Sequence, residues 1–293
     1  MRRQQYWGYI FTLPFVINVV VFLIFPVAFS AYISFTQYDL FNAPKWVGLT
    51  NWTTMFHKDE FWISMRNVFA FALIFVPLQT LFAFLIAFLL NQAIRAKSMF
   101  RLFYFMPVVT PWLAGGVVWT WMFNYQYGVI NWFLGLLHID PIRWIDNKSW
   151  IVVIGSVALV NVWKGVGQSM IILLAGMQNV PKEVLEAGQI DGASGWKQLT
   201  HIVFPIVTPM VYLVVILSTI SAFQAFDVFL GIFGGIEAGI SREIMIPNLV
   251  VYRDSFILFK MGPASAMAWV LFFIILAVTL FQRYFEKKWV HYD

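Results

Sequence analysis

The chain has 293 residues, 61% of them hydrophobic and only 11% charged, against about 25% charged in soluble domains. That balance excludes an ordinary soluble domain and points to a chain that crosses a membrane several times; aromatics at 19% suit interfacial belts and lipid-facing surfaces. Cysteine is absent, which excludes a disulfide framework and a thiolate metal site, and the net charge of +5 follows from loop topology rather than from a nucleic-acid partner.

In chain order, six apolar runs reach the ~20 residues needed to span a bilayer: 9–34, 67–91, 103–124, 150–177, 205–229 and 263–284. Met1-Arg2-Arg3 before the first run, with Ala28-Phe29-Ser30 inside it, imitates a signal peptide. The run is much longer than a signal core of roughly 7–15 residues, so it is expected to be a retained first span. Pro14, Pro26, Pro77, Pro107 and Pro111 fall within the runs. Membrane helices tolerate such kinks where neighbours satisfy the freed backbone groups. The fold class expected is all-α, polytopic, with six transmembrane helices in one domain over 1–293.

Orientation follows from Lys and Arg in short loops. The 91–102 loop carries Arg95, Lys97 and Arg101 and no acid, whereas the outer loops are long and neutral on balance. Both termini and the 179–205 loop are therefore expected in the cytoplasm.

That loop is too polar to cross lipid and too ordered for a linker. Pro181 suits a helix start, and Glu183 in the first turn complements the helix dipole. The register runs to about Ile190, and Asp191-Gly192 breaks it. Ser194 is expected to cap a second short helix.

Polar groups inside spans are functional candidates by default. In the fourth span Asn161, Lys164 and Gln168 stand at i, i+3 and i+7, one helical face, beside Gly165 and Gly167. In the fifth, Ser218, Ser221 and Gln224 share a face, with Asp227 toward the outer end. Neutral amides and hydroxyls suit a sugar, whose hydroxyls donate and accept. The competing use is interhelical bonding; Asn18, Gln79 and Asn91 are expected to serve as such glue or as end caps. The chain has no G-x-x-x-x-G-K-[ST] phosphate loop, no G-x-S-x-G elbow and no His inside a span. His57, His138, His201 and His291 lack metal-ligand spacing. No catalytic residue and no metal site is expected.

Glu186-Ala187-Gly188, Gly192, Ile202 and Phe204-Pro205 resemble the cytoplasmic coupling motif in the membrane subunits of ABC importers. Gly188 replaces the motif's second Ala and Phe204 its Leu. Pro181, Glu183 and Asp191-Gly192-Ala193 are similar to the sugar-importer branch. So are Gly48-Leu49-Thr50-Asn51-Trp52 with Asn67, the stretch 101–107, the stretch 119–131, and Met261-Gly262-Pro263-Ala264-Ser265-Ala266. Ile232-Phe233-Gly234-Gly235-Ile236, continuing through Glu237-Ala238-Gly239, departs from the branch's usual Thr-x-Gly-Gly-Pro. The resemblance implies a type I ABC importer permease fold in a bacterial cytoplasmic membrane. It assigns ATPase coupling to Glu183, Glu186, Ala187, Gly188, Asp191, Gly192 and Ala193. It implies a second, distinct permease subunit, two cytosolic ATPase subunits that carry ATP and Mg, an extracytoplasmic binding protein and a sugar substrate, with no cofactor on this chain. Asn161, Lys164, Gln168, Ser218, Ser221 and Gln224 are read as the substrate path because their spans flank the coupling loop. The alternative is an ion-coupled secondary transporter, which would need inverted repeats and a membrane carboxylate site; the sequence displays neither.

Overall fold

The structure is a computed structural model; it describes residues 2–92, 95–234 and 240–290, with side chains described from residue 11 onward. Helix dominates, because lipid offers no partner to a backbone N–H or C=O and an isolated segment must satisfy its own. Helix α1 (Arg2–Val19) runs through a π-helical turn, Val20–Ile24, into α2 (Phe25–Ile33). The loop after it, expected on the outer side, holds a two-stranded antiparallel ribbon, β1 (Thr36–Gln37) with β2 (Lys45–Trp46), in which Thr36 faces Trp46. Helix α3 (Thr50–Phe56) leads to α4 (Asp59–Asn91), which crosses in one 33-residue rod despite Pro77. Helices α5 (Lys97–Val109) and α6 (Trp112–Met122) follow, then the short outer helix α7 (Val129–Leu136) and the long α8 (Trp150–Gln178).

The 179–205 loop folds as α9 (Lys182–Ile190) and α10 (Gly195–Gln198), as the sequence indicates. A π-helical turn, Leu199–Val203, joins α10 to α11 (Phe204–Phe223). At the other end of α11 from the bracket come α12 (Asp227–Phe233) and α13 (Pro247–Tyr252), before α14 (Met261–Trp289). Residues 235–239, where the sequence departs most from the sugar-importer pattern, and His291 lie outside the described residues.

Among the described residues, Phe11–Ile33, Asp59–Asn91, Trp150–Gln178, Gly195–Phe223 and Met261–Trp289 are long and apolar enough to span. Helices α5 and α6 are together apolar and long enough to count as a sixth span, but they are bent by 101° at the break between them, the geometry of a broken span or of a re-entrant loop. Two expected runs thus need correction. The 103–124 run is two helices, because Pro111 supplies no N–H and forces the preceding Thr110 into extended backbone (ψ 140°). The 205–229 run stops at Phe223, where the Asn248 amide takes the carbonyls of Phe223 and Ala225 (both 3.1 Å) and closes the helix end.

Helix α8 is the central rod: it is more deeply buried than the other spans among the described residues, and it packs most extensively against α4. An inner apolar cluster joins Ala83 and Ala87 of α4, Met170, Leu173 and Met177 of α8, and Val207 and Val211 of α11. An outer cluster gathers Phe71, Phe123, Phe223 and Phe229 with Ile246 and Leu249. Buried asparagines tie the outer loops to this frame. Asn67 donates to the carbonyls of Arg242 and Met245, both at 2.9 Å. Asn51 donates to those of Ser34 and Thr36 (2.9 and 2.8 Å), and Asn131 exchanges bonds with the Ile142 backbone. Arg253 grips Glu60 through both guanidinium ends (3.1 and 2.9 Å) and also pairs with Asp254.

Candidate functional site

The two polar faces read from the sequence meet. Asn161, Lys164 and Gln168 on α8 and Ser218 and Ser221 on α11 line one cavity of about 500 Å³. The opposite wall comes from Gln79 of α4 and from Thr110, Pro111 and Trp112 at the break between α5 and α6. A second cavity of about 280 Å³ adjoins it, sharing Trp112, Asn161 and Ser221 and adding Gln224 and Asp227. All six residues predicted for the substrate path therefore line one or the other of two adjoining cavities. The helical spacing makes this so: i, i+3 and i+7 on one rod face the same sector of another.

Their hydrogen bonding separates them. Within the described residues, the side chains of Asn161, Gln168, Ser218, Ser221 and Gln224 bond to no other protein group, which leaves donors and acceptors open to the cavity. Lys164 is engaged instead. Its ammonium donates to the carbonyls of Pro107 (3.0 Å), Val108 (3.2 Å) and Thr110, and lies over the Trp112 ring, 4.7 Å from its centroid. Gln79, read from sequence as interhelical glue, does bond Ser169 Oγ at 2.9 Å, but it also lines the cavity and leaves its own Oε1 unpaired. Trp112, Thr110 and Ser169 were not singled out by sequence. A polar residue in a span is a usable signal for Ser169; for Trp112 nothing in the local pattern distinguishes it from a lipid-facing aromatic. Gly165 sits against the Gln79 amide, while Gly167 has no room for a side chain, because a Cβ there would run into the Tyr104 carbonyl of α5.

The second candidate site is the α9–α10 bracket. Glu183, Glu186, Ala187, Asp191 and Gly192 are exposed, and Ala193 is half-buried. Gly188 is buried beside the tip of the Ile202 side chain, which would have to swing aside to admit a side chain at 188. Gly192 turns the chain at φ +79°, a conformation that L residues avoid. Ala193 N–H returns to the Gly188 carbonyl at 2.8 Å, and Gln198 Nε2 reaches the Leu185 carbonyl at 2.7 Å, stitching the two helices together. Ser194 stands at the N-cap of α10, but its hydroxyl makes no capping bond, contrary to the expectation. The bracket is seated on the inner apolar cluster through Val180, Leu199 and Val203, which are buried, with Leu185 packed against it. Its tip is apolar and exposed at Ile190 (87%) and Trp196 (69%). It is thus continuous at one end with α11, joined to α8 at the other through the three residues 179–181, and open on its cytosol-expected face.

No group of His, Cys, Asp and Glu able to hold a metal ion occurs among the described residues.

A family described as the binding-protein-dependent transport system inner membrane component matches residues 79–291. The chain is 37% identical to a probable ABC transporter permease protein, YesP, of Bacillus subtilis, covering 100% of this chain and 94% of that protein. It is 30% identical to the trehalose/maltose transport system permease protein MalF of Thermococcus litoralis, covering 95% and 92%. It also superposes on a chain of a bacterial ABC transporter involved in the import of the acidic polysaccharide alginate, with a TM-score of 0.83 over 98% of this chain and 96% of that one, at 18% identity.

Proposed function

Given that the chain belongs to the binding-protein-dependent transport system inner membrane components and is a permease subunit of an ABC importer, we propose that it moves a sugar or oligosaccharide into the cytoplasm. The observation that carries the substrate class is the cavity of about 500 Å³ where Asn161, Gln168, Ser218 and Ser221 present unbonded amides and hydroxyls. Such a set can donate to and accept from sugar hydroxyls through uncharged groups, and the size is that of small-molecule sites. The trehalose/maltose transport system permease among its relatives supports the same class.

The mechanism follows from how cavity and bracket are joined. Cytosolic ATPase subunits, which bind ATP and Mg, would clasp Glu183, Glu186 and Asp191 and the exposed Ile190 and Trp196. Because the bracket is stitched internally and runs into α11, a rotation of it turns α8 and α11 together. Those two helices carry the open polar groups, so the cavity changes its access when the bracket moves. A second permease subunit would complete the pathway, since this chain has one bracket and one half of a lining. An extracytoplasmic binding protein would deliver the sugar to the outer loops. The N- and C-termini then lie in the cytoplasm, with Arg95, Lys97 and Arg101 on the same side.

Uptake of a labelled sugar into vesicles holding the full complex tests this reading. ATP-dependent uptake that survives collapse of ion gradients is expected. Uptake that proceeds without ATP and follows an imposed ion gradient would overturn it.

A further inference from the structure

Lys164 lines the cavity but has no donor left for a sugar. An ammonium offers three N–H groups, and the carbonyls of Pro107, Val108 and Thr110 receive them. Those carbonyls belong to the C-terminal end of α5, where backbone acceptors are left without helical partners. Pro111 makes the end worse, since the N–H that would have reached the Pro107 carbonyl does not exist. Thr110 covers part of the deficit by turning its own N–H and hydroxyl back to Pro107 (3.2 and 2.7 Å). The charge of Lys164 also meets the negative end of the α5 dipole, and Trp112, first residue of α6, lies under the ammonium at 4.7 Å. Lys164 thus touches the last turn of one half-helix and the first residue of the next. Gly167, one turn along α8, lets the α5 backbone come close enough for this contact.

We propose that Lys164 is a positioning residue: it pins the 101° break between α5 and α6 to α8, and so sets the wall formed by Thr110, Pro111 and Trp112 across from Asn161. The inference rests on the reading of the cavity as the transport path only for its consequence, not for the pin itself. An unpaired ammonium at this depth would be costly, and here its partners are backbone, independent of the substrate. The pin also couples the wall to the bracket, since a turn of α8 carries Lys164 and with it both half-helices.

The chain contains no cysteine, so distances across the break can be read from spin labels at Phe100→Cys on α5 and Val118→Cys on α6, both exposed. The assembled transporter is used, and labelling of partner chains is subtracted with the cysteine-free chain. Lys164→Met is expected to broaden the distribution and shift it to longer distances. Full straightening adds on the order of 10 Å at 1.5 Å rise per residue. Lys164→Arg should keep the wild-type distribution. Lys164→Gln, with two donors, should give an intermediate one, and it decides the question if the Met variant does not assemble. For the sugar that the wild type takes up, Lys164→Met should lose most of its saturating rate, with rescue by Arg. An unchanged distribution in both the Met and Gln variants overturns the pin. An intact bend with only the half-saturating sugar concentration raised also overturns it, and makes Lys164 a substrate contact. If the wild type takes up no sugar, the cavity reading falls while the label distances still judge the pin.

Discussion

Asn161 and Gly192 carry most of the weight at the scale of single residues. Asn161 is 95% buried in the protein yet lines both cavities, with its amide bonded to nothing else among the described residues. Truncation to Ala should leave folding nearly intact and raise the half-saturating sugar concentration about five- to tenfold, the worth of one hydrogen bond of ~1 kcal/mol or slightly more. Uptake kinetics in vesicles measure this, and an unchanged value would remove Asn161 from the path. Gly192 sits at φ +79° and donates its N–H to the Gln189 carbonyl at 3.0 Å. Proline allows neither, since its ring holds φ near −65° and it has no N–H. Gly192→Pro should abolish ATP-driven uptake while membrane insertion, followed by fractionation, is unaffected. Gly188 costs α9 roughly 1 kcal/mol against Ala, and only the flexible tip of Ile202 stands where an Ala methyl would go.

At the scale of elements, the outer loops are held by side-chain amides rather than by sheet or long helix. Asn67 bonds two carbonyls some 175 residues away in sequence, at Arg242 and Met245. Asn67→Ala leaves those carbonyls and the Arg66 guanidinium short of a partner, at about 1–3 kcal/mol per buried unsatisfied group. The melting temperature in detergent should fall by several degrees, and proteolysis of the 240–246 segment should speed up. An unchanged melting curve would mean that water replaces the amide there. The same logic explains why Asn51 and Asn131, noticed in the sequence only through resemblance, matter: each ties a short helix to backbone carbonyls elsewhere in its loop. The bend of α5 on α6 belongs here too, because its cause, Pro111 after Thr110, is local, but its support comes from α8.

For the whole molecule, the central point is that the cavity and the bracket share two rods. Neither a pump nor a channel follows from one such half. The chain reconstituted alone in vesicles with ATP inside should show no solute uptake above empty vesicles. Adding the partner subunits should restore it, and accumulation by the lone chain would refute the division of labour. Nor should the lone chain hydrolyse ATP, since it has no phosphate loop.

Hydropathy and local chemistry determined a good deal by themselves. The lipid solvent forces helices on any long apolar run, so the spans were legible, and Pro181, Glu183 and Asp191-Gly192 wrote out the α9–α10 bracket because turn and cap chemistry act over a few residues. Periodicity also placed Asn161 and Gln168 on one face and Ser218 and Ser221 on another. What only the tertiary structure decided was how those faces are used. Whether a polar group is free or spent depends on which carbonyl lies across from it, and that partner is 54–57 residues away for Lys164 and 90 for Gln79. A sequence pattern reports the face a side chain occupies; only packing brings it the group that answers its hydrogen bonds.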